Sequence, residues 1–101
     1  MDFEEIQRLV KRKDYLFSEH ADEERTKDEL STEDIEHAII SGKVIGERLN
    51  DPRGESRLIA GKTENSKLIH VVVGTRLDKP VIVTVYIPEA KTWSRGIIRK
   101  R

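Results

Sequence analysis

The spacing of the apolar residues changes at Gly42, and this change constrains the fold more than any other feature of the 101-residue sequence. Before Gly42, apolar residues recur every three or four positions, which is typical of amphipathic helices. After Gly42 they alternate with polar residues, which is typical of half-buried strands. The connections between these strands are too short for crossover helices, so we expect antiparallel pairing. The sequence therefore predicts an α+β domain with N-terminal helices packed on a four-stranded antiparallel sheet.

Helix-capping residues locate the boundaries of the predicted helices. Ser18 is a suitable N-cap for the second helix, and Ser31 with Asp34 three residues later forms a variant of the capping box for the third. Gly42 is the expected C-terminal stop of the third helix. The first helix is predicted over residues 2–13, the second from Glu19 to about Leu30, and the third between Ser31 and Gly42.

The last two predicted strands fix the pairing register of the sheet. The four strands are predicted over Lys43–Leu49, Arg57–Lys62, Lys67–Thr75 and Val81–Ile87. In the last two, the odd positions are aliphatic, and a slip of one residue would turn every side chain over. We therefore expect His70 opposite Tyr86 and Val72 opposite Thr84, with His70, Thr84 and Tyr86 on one face. The odd residues expected to pack on the first and third helices are Ile69, Val71, Val73, Val81, Val83, Val85 and Ile87.

Composition excludes several classes of site. The chain has no Cys, so it can form no disulfide, thiolate metal site or cysteine nucleophile. No apolar run approaches the roughly 18 residues of a membrane span, and the acidic N-terminus is unlike a signal peptide; both predict a cytoplasmic location. The carboxylates of the second helix lack a calcium-type loop or a histidine pair, so we expect no metal and no cofactor.

The charged residues are unevenly distributed along the chain. Residues 1–36 carry 13 acidic and 6 basic side chains, whereas residues 37–101 carry 6 acidic and 13 basic ones. The basic excess includes a C-terminal tail over residues 94–101. This asymmetry fits either a basic surface that binds a polyanion or helices that are simply richer in Glu than strands are.

The group of His70, Thr84 and Tyr86 has the clearest chemical potential in the sequence. Histidine titrates near neutral pH, so two such groups could cleave RNA without a metal. One would take a proton from a ribose 2′-hydroxyl, and the other would give a proton to the leaving 5′-oxygen. His20, in the first turn of the second helix, is the second candidate, whereas His37 is predicted to lie on the surface. A mid-strand histidine among valines is also typical of a packed, hydrogen-bonded core residue, so both interpretations of His70 stay open.

Several short segments of the chain together resemble one known family. They are Ser18–Ala21, Leu30–Ile39, Gly42–Ile45, Leu58–Gly61, Ile69–Val72, Val83–Pro88 and Trp93. Their order and spacing are similar to those of the prokaryotic "domain of unknown function 4258" family over about residues 17–93 of what we interpret as one domain. The first helix and the basic tail lie outside this region. The family is placed near the RelE-like toxins, so the resemblance implies a RelE-like or barnase-like ribonuclease fold.

The resemblance also implies a function, a partner and a set of site residues. It implies a toxin-type, metal-independent endoribonuclease of a toxin–antitoxin system, with RNA, including mRNA on the ribosome, as substrate and a cognate antitoxin protein as partner. His20 and His70 would be the acid and base, Tyr86 would orient or donate a proton, and Thr84 would bind phosphate. The basic residues expected to neutralise the RNA backbone are Arg25, Arg57, Lys62, Arg95 and Arg99.

One position departs from the family pattern. Many members carry an arginine four residues after the histidine that matches His20, whereas this chain has Glu24. Arg25 is adjacent but lies about 140° around the helix from His20, so Arg57 or an arginine of the tail is an alternative. Without an assured arginine, a second function stays open: a non-catalytic protein-binding module with the same fold, in which both histidines are structural.

Overall fold

The structure is a computed structural model, and it describes residues 1–88. Three helices precede the main strands: α1 (Phe3–Lys11), α2 (Glu19–Lys27) and α3 (Thr32–Ser41). The predicted N-caps are confirmed: the Ser18 side chain accepts a hydrogen bond from the Ala21 N–H, and Ser31 and Asp34 form a complete capping box. Helices α1 and α2 end earlier than predicted because Lys13 and Glu29 adopt left-handed φ angles of 64° and 56°.

The sheet has five strands, and the prediction of four antiparallel strands is wrong in this respect. The strands are β1 (Leu16–Phe17), β2 (Lys43–Arg48), β3 (Ser56–Lys62), β4 (Leu68–Gly74) and β5 (Val81–Tyr86). Their order is β1-β5-β4-β3-β2, and β1 pairs with β5 in parallel while the other pairs are antiparallel. The Leu16 N–H donates to the Pro80 carbonyl and the Ser18 N–H to the Ile82 carbonyl, each at 2.9 Å. The short segment between α1 and α2 thus satisfies backbone groups on the outer edge of β5.

The predicted register holds in only one half of the last hairpin. His70 pairs with Tyr86 and Val72 with Thr84, as expected, but Val73 pairs with Ile82. Val83 is therefore the extra residue of a β-bulge and is 38% exposed. The expectation that Val81 and Val83 pack against the helices is wrong, because the bulge turns Ile82 into the core in their place.

One hydrophobic core lies between the helices and one face of the sheet. Its buried side chains come from all three helices and from three strands: Ile6, Val10, Ala21, Ile35, Ala38, Ile39, Ile59, Ile69, Val71, Val73, Ile82 and Val85, with Leu30 from the connection before α3. Helix α3 lies so close to β3 that a Cβ atom on Gly61 would overlap the carbonyl group of Ala38. The opposite face, which we call the open face, carries Leu58, Val72, Thr84 and Tyr86 and receives no buried side chain from any of the described helices.

No helix within residues 1–88 is long and apolar enough to cross a membrane.

Candidate functional site

His70 and Tyr86 form a hydrogen-bonded pair on the open face. They lie opposite each other on β4 and β5, and the His70 Nδ1 atom is 3.1 Å from the Tyr86 hydroxyl. Their rings meet edge-on, with centroids 5.2 Å apart and planes at 75°. The His70 side chain is buried, whereas Tyr86 is 37% exposed. The tyrosine hydroxyl therefore joins a buried imidazole to the more accessible part of the face.

Burial sets the protonation state of His70. Loss of solvent lowers the pKa of His70 below its ordinary value of 6.5. The imidazole is therefore neutral near pH 7 and has one nitrogen that can accept a proton. In the tautomer with the proton on Nε2, Nδ1 accepts the hydrogen bond of the Tyr86 hydroxyl, and the pair can then pass a proton from the face to the imidazole.

Thr84 lies two residues before Tyr86 and faces the same side of the sheet. It pairs with Val72 across the hairpin and is half-buried. The predicted grouping of His70, Thr84 and Tyr86 on one face is therefore present, because the bulge at Val83 begins only beyond Thr84.

His20 occupies a different place, at the outer edge of β5. Its side chain is 66% exposed, and its Nε2 atom is 3.2 Å from Glu24 Oε2. The other oxygen of Glu24, Oε1, accepts a hydrogen bond from the Val85 N–H at 3.1 Å. These contacts connect His20 to the backbone of β5 through Glu24. Direct contact of the His20 side chain with His70 or Tyr86 stays a prediction.

A cavity of about 800 Å³ lies over the open face, between the β2–β3 and β4–β5 connections. Aliphatic side chains on the sheet and at the loop ends line much of it, and Tyr86 contributes to its wall. His20 is not among its lining residues. The charged residues that line it are Glu47, Arg48, Asp51, Arg53, Glu55 and Arg76.

Most of the charged residues around this cavity are paired with one another or with neighbours. Arg53 binds Asp51 through two contacts of 3.2 Å, and these hydrogen bonds lower the pKa of the Asp51 carboxyl. Glu47 accepts a hydrogen bond from Arg57 at 3.2 Å. Within residues 1–88, Arg48 and Arg76 form no ion pair and are exposed. These two arginines therefore give the cavity its available positive charge.

The predicted RNA-binding residues that the structure describes are not among those that line the cavity. Arg25 binds Asp22 at 2.8 Å and the Leu30 carbonyl at 3.2 Å, and its guanidinium lies 5.7 Å from the centre of the Phe17 ring. Arg57 is buried beside Glu47, and Lys62 is exposed at the end of β3. Arg95 and Arg99 lie outside the described residues.

Sequence reasoning missed the cavity arginines. Arg48 ends β2, whereas Arg53 and Arg76 lie in loops, and no periodic pattern assigns such positions to a common site. The signal that could have found them is the shared position of the two loops: β2–β3 and β4–β5 are both hairpin connections at the same end of the antiparallel sheet.

No group of three or more His, Asp or Glu side chains within residues 1–88 is arranged to hold a metal ion.

The family model for a domain of unknown function (DUF4258) matches residues 17–87. The chain belongs to this DUF4258 family. The matched region begins in β1, runs through the last residue of β5 and contains His20, His70, Thr84 and Tyr86, while α1 lies before it. No curated protein and no solved structure was found to be similar to the chain. The expected membership of the family is therefore confirmed.

Proposed function

We propose that this DUF4258 chain is a toxin-type, metal-independent endoribonuclease with a RelE-like arrangement of helices and sheet, neutralised by an antitoxin protein. The observation that supports the proposal is the hydrogen bond between the buried His70 and the half-exposed Tyr86 beside the cavity. A neutral imidazole behind an accessible hydroxyl is a suitable base for a substrate hydroxyl.

The proposed reaction is the attack of a ribose 2′-oxygen on the adjacent phosphorus. The 2′-hydroxyl proton passes to the Tyr86 oxygen while the tyrosine proton passes to His70 Nδ1, so that the phenol ends unchanged and the imidazole is protonated. The bond from phosphorus to the 5′-oxygen breaks, and that oxygen takes a proton from a protonated His20 that approaches the edge of β5. The products are a 2′,3′-cyclic phosphate and a 5′-hydroxyl, and proton exchange with water restores both histidines.

Substrate binding in this proposal uses the side chains around Tyr86. The Thr84 hydroxyl, on the same face, would donate to a phosphate oxygen. Arg48 and Arg76 would neutralise phosphates on either side of the scissile bond, in the role that the sequence assigned to Arg25 and Arg57. Because Arg25 and Arg57 are bound to carboxylates of the chain itself, they are less suited to that role.

The test is cleavage of labelled single-stranded RNA by the purified full chain in the presence of EDTA. Tyr86→Phe removes only the hydroxyl, and we expect it to lower kcat by about 100-fold, the usual size of an acid–base contribution. His70→Ala should lower kcat similarly. Expression of this variant in a host should not cause the growth arrest and RNA loss that we expect from the parent chain. His37→Ala is the matched control, because His37 is exposed and bonds to the Lys62 carbonyl.

Three outcomes would overturn the proposal. One is cleavage that EDTA abolishes, and another is a Tyr86→Phe chain that cleaves at the parent rate while its thermal melt is unchanged. Products with a 3′-hydroxyl end would also exclude attack by the 2′-oxygen.

A second candidate function is a non-catalytic protein-binding module. The observation that favours it is the aliphatic lining of the cavity, including the exposed side chains of Leu77 and Val83. A chain that cleaves no RNA under any condition but binds a protein segment at this face would support it.

A further inference from the structure

The cavity combines an apolar lining with exposed aliphatic side chains at its border. Leu58 and Val72 come from the centre of the open face, and Val81 and Val83 come from β5. Leu77, in the β4–β5 connection, is 54% exposed. The cavity volume of about 800 Å³ is within the range of roughly 300–1,000 Å³ for sites that bind ligands. Clustered exposed aliphatic residues of this kind mark interaction surfaces.

The charged side chains around this lining indicate the kind of ligand that the cavity would bind. The carboxylates of Glu47 and Asp51 are bound by Arg57 and Arg53, and Glu55 lies 3.7 Å from Arg57. Arg48 and Arg76 have no such partner within residues 1–88. The site therefore offers two available positive charges beside an aliphatic surface, and it is complementary to a ligand with both carboxylates and aliphatic side chains.

We infer that the cavity binds an acidic, aliphatic peptide segment of a partner protein. Its aliphatic side chains would pack on Leu58, Val72 and Leu77, and its carboxylates would pair with Arg48 and Arg76. This inference names the partner chemistry for the open face and does not require that the chain cleave RNA.

Other occupants match the cavity less well. Single-stranded RNA could pair its phosphates with the arginines, but its bases stack on aromatic rings, and Tyr86 is the one aromatic lining residue within residues 1–88. A second copy of the chain could offer its acidic helix α2, but the aliphatic side chain of that helix, Ala21, is buried in its own core. Helix α2 would thus satisfy the arginines and leave the aliphatic lining uncovered.

A peptide bound in the cavity would affect RNA cleavage because of where Tyr86 lies. Tyr86 lines the cavity and also bonds to His70, so a bound peptide would cover the hydroxyl that the proposed reaction uses. This consequence, unlike the binding itself, rests on the proposed function. A peptide at this site would then act as a competitive inhibitor of RNA cleavage.

The experiment measures fluorescence anisotropy of a short labelled peptide of alternating Glu and Leu against the purified full chain. We expect saturable binding, and we expect Arg76→Glu to weaken it by about 10-fold through charge reversal at the site. Leu77→Ser should also weaken it by about 10-fold through loss of apolar contact. The matched controls are Arg12→Glu and Leu16→Ser, because both residues are exposed and neither lines the cavity; each should bind like the parent.

Comparison probes identify the occupant. A peptide with Lys in place of Glu, and one with Ser in place of Leu, should bind at least about 10-fold more weakly than the Glu–Leu peptide. The inference is overturned if the Glu–Leu peptide does not saturate, if Arg76→Glu weakens the binding of labelled RNA but not that of the peptide, or if sedimentation detects a dimer that Leu77→Ser dissociates. Peptide binding without RNA cleavage would overturn the proposed nuclease activity and support this inference. RNA cleavage without peptide binding would support the nuclease activity and overturn this inference.

Discussion

A polar cluster on the helix-covered side of the sheet differs in burial and bonding from the polar groups that line the cavity on the open face. On the helix-covered side, the buried carboxylate of Glu36 accepts hydrogen bonds from the Tyr15 hydroxyl at 2.5 Å and from Lys13 at 2.6 Å. On the open face, Tyr86 is more than one-third exposed, and Arg48 and Arg76 lack ion-pair partners within residues 1–88. A buried carboxylate with a partner on each oxygen indicates a structural role, whereas accessible groups beside an aliphatic cavity indicate binding. A tyrosine and a basic side chain therefore have a structural role at Tyr15 and Lys13. On the open face, Tyr86 and the two arginines are candidate binding groups instead.

One added methyl group should affect stability very differently on the two faces. Gly61→Ala would place a Cβ atom into the Ala38 carbonyl, where α3 meets β3. The Ala38 carbonyl belongs to the packed backbone of α3, so we expect a loss of about 3 kcal/mol in unfolding free energy, the upper end for overpacking. Gly46→Ala is the matched control, because its Cβ would lie 3.6 Å from the nearest atom, the Cβ of Leu58. Urea denaturation measures both, and an equal effect would contradict the distinction between the faces.

The second test removes the buried carboxylate. In Glu36→Ala, the Tyr15 hydroxyl loses its partner in a half-buried site, and we expect a loss of about 2 kcal/mol, as for other hydrogen bonds to charged groups. Burial and the bond to Glu36 also raise the pKa of Tyr15, so the variant should bring tyrosine ionisation to lower pH. Glu33→Ala, on an exposed position of the same helix, should change stability by less than about 0.5 kcal/mol. Similar losses in the two variants would show that the cluster contributes nothing specific.

Much of the fold could be predicted from the sequence because it depends on local patterns. The caps Ser18 and Ser31 and the alternating strands after Gly42 are local signals, and all are confirmed. Strand β1 was missed because two residues carry no period, and its pairing depends on a strand 65 positions further along the chain. The bulge at Val83 was missed because Val81, Ile82 and Val83 are all aliphatic, so the pattern does not mark where an extra residue enters.

The candidate site was predictable only where it depends on pairing register. The opposition of His70 and Tyr86 follows from the alternating pattern, and it is confirmed. The internal contacts of Arg25 and Arg57 depend on carboxylates from other turns and strands, so their charge alone suggested a surface role. The cavity arginines depend on where two loops meet, which sequence spacing does not encode.

The third prediction concerns the pH dependence of stability. Burial lowers the pKa of His70 in the folded state below its ordinary 6.5, so the unfolded state binds more protons between these two values. The contribution of His70 to stability is therefore complete above about pH 6.5 and is lost as the pH falls through the folded pKa. We expect the difference in unfolding free energy between the parent and His70→Gln to shrink as the pH is lowered from about 8 to about 5. A difference that grows on acidification would mean that the pairing with Tyr86 favours the charged imidazole.

The smallest expected effect lies at the edge of β5, where the two faces meet. Glu24 bonds to the Val85 N–H and to His20. Glu24→Gln keeps an oxygen for the Val85 N–H, and we expect it to cost less than about 0.5 kcal/mol, the value of an exposed i,i+4 pair. Glu24→Ala leaves that N–H without its partner and should cost about 1 kcal/mol. If chemical denaturation gives equal losses for the two variants, the ion pair with His20 outweighs the backbone bond. His20 would then be a structural residue of α2, and the proposed cleavage would need another group to protonate the 5′-oxygen.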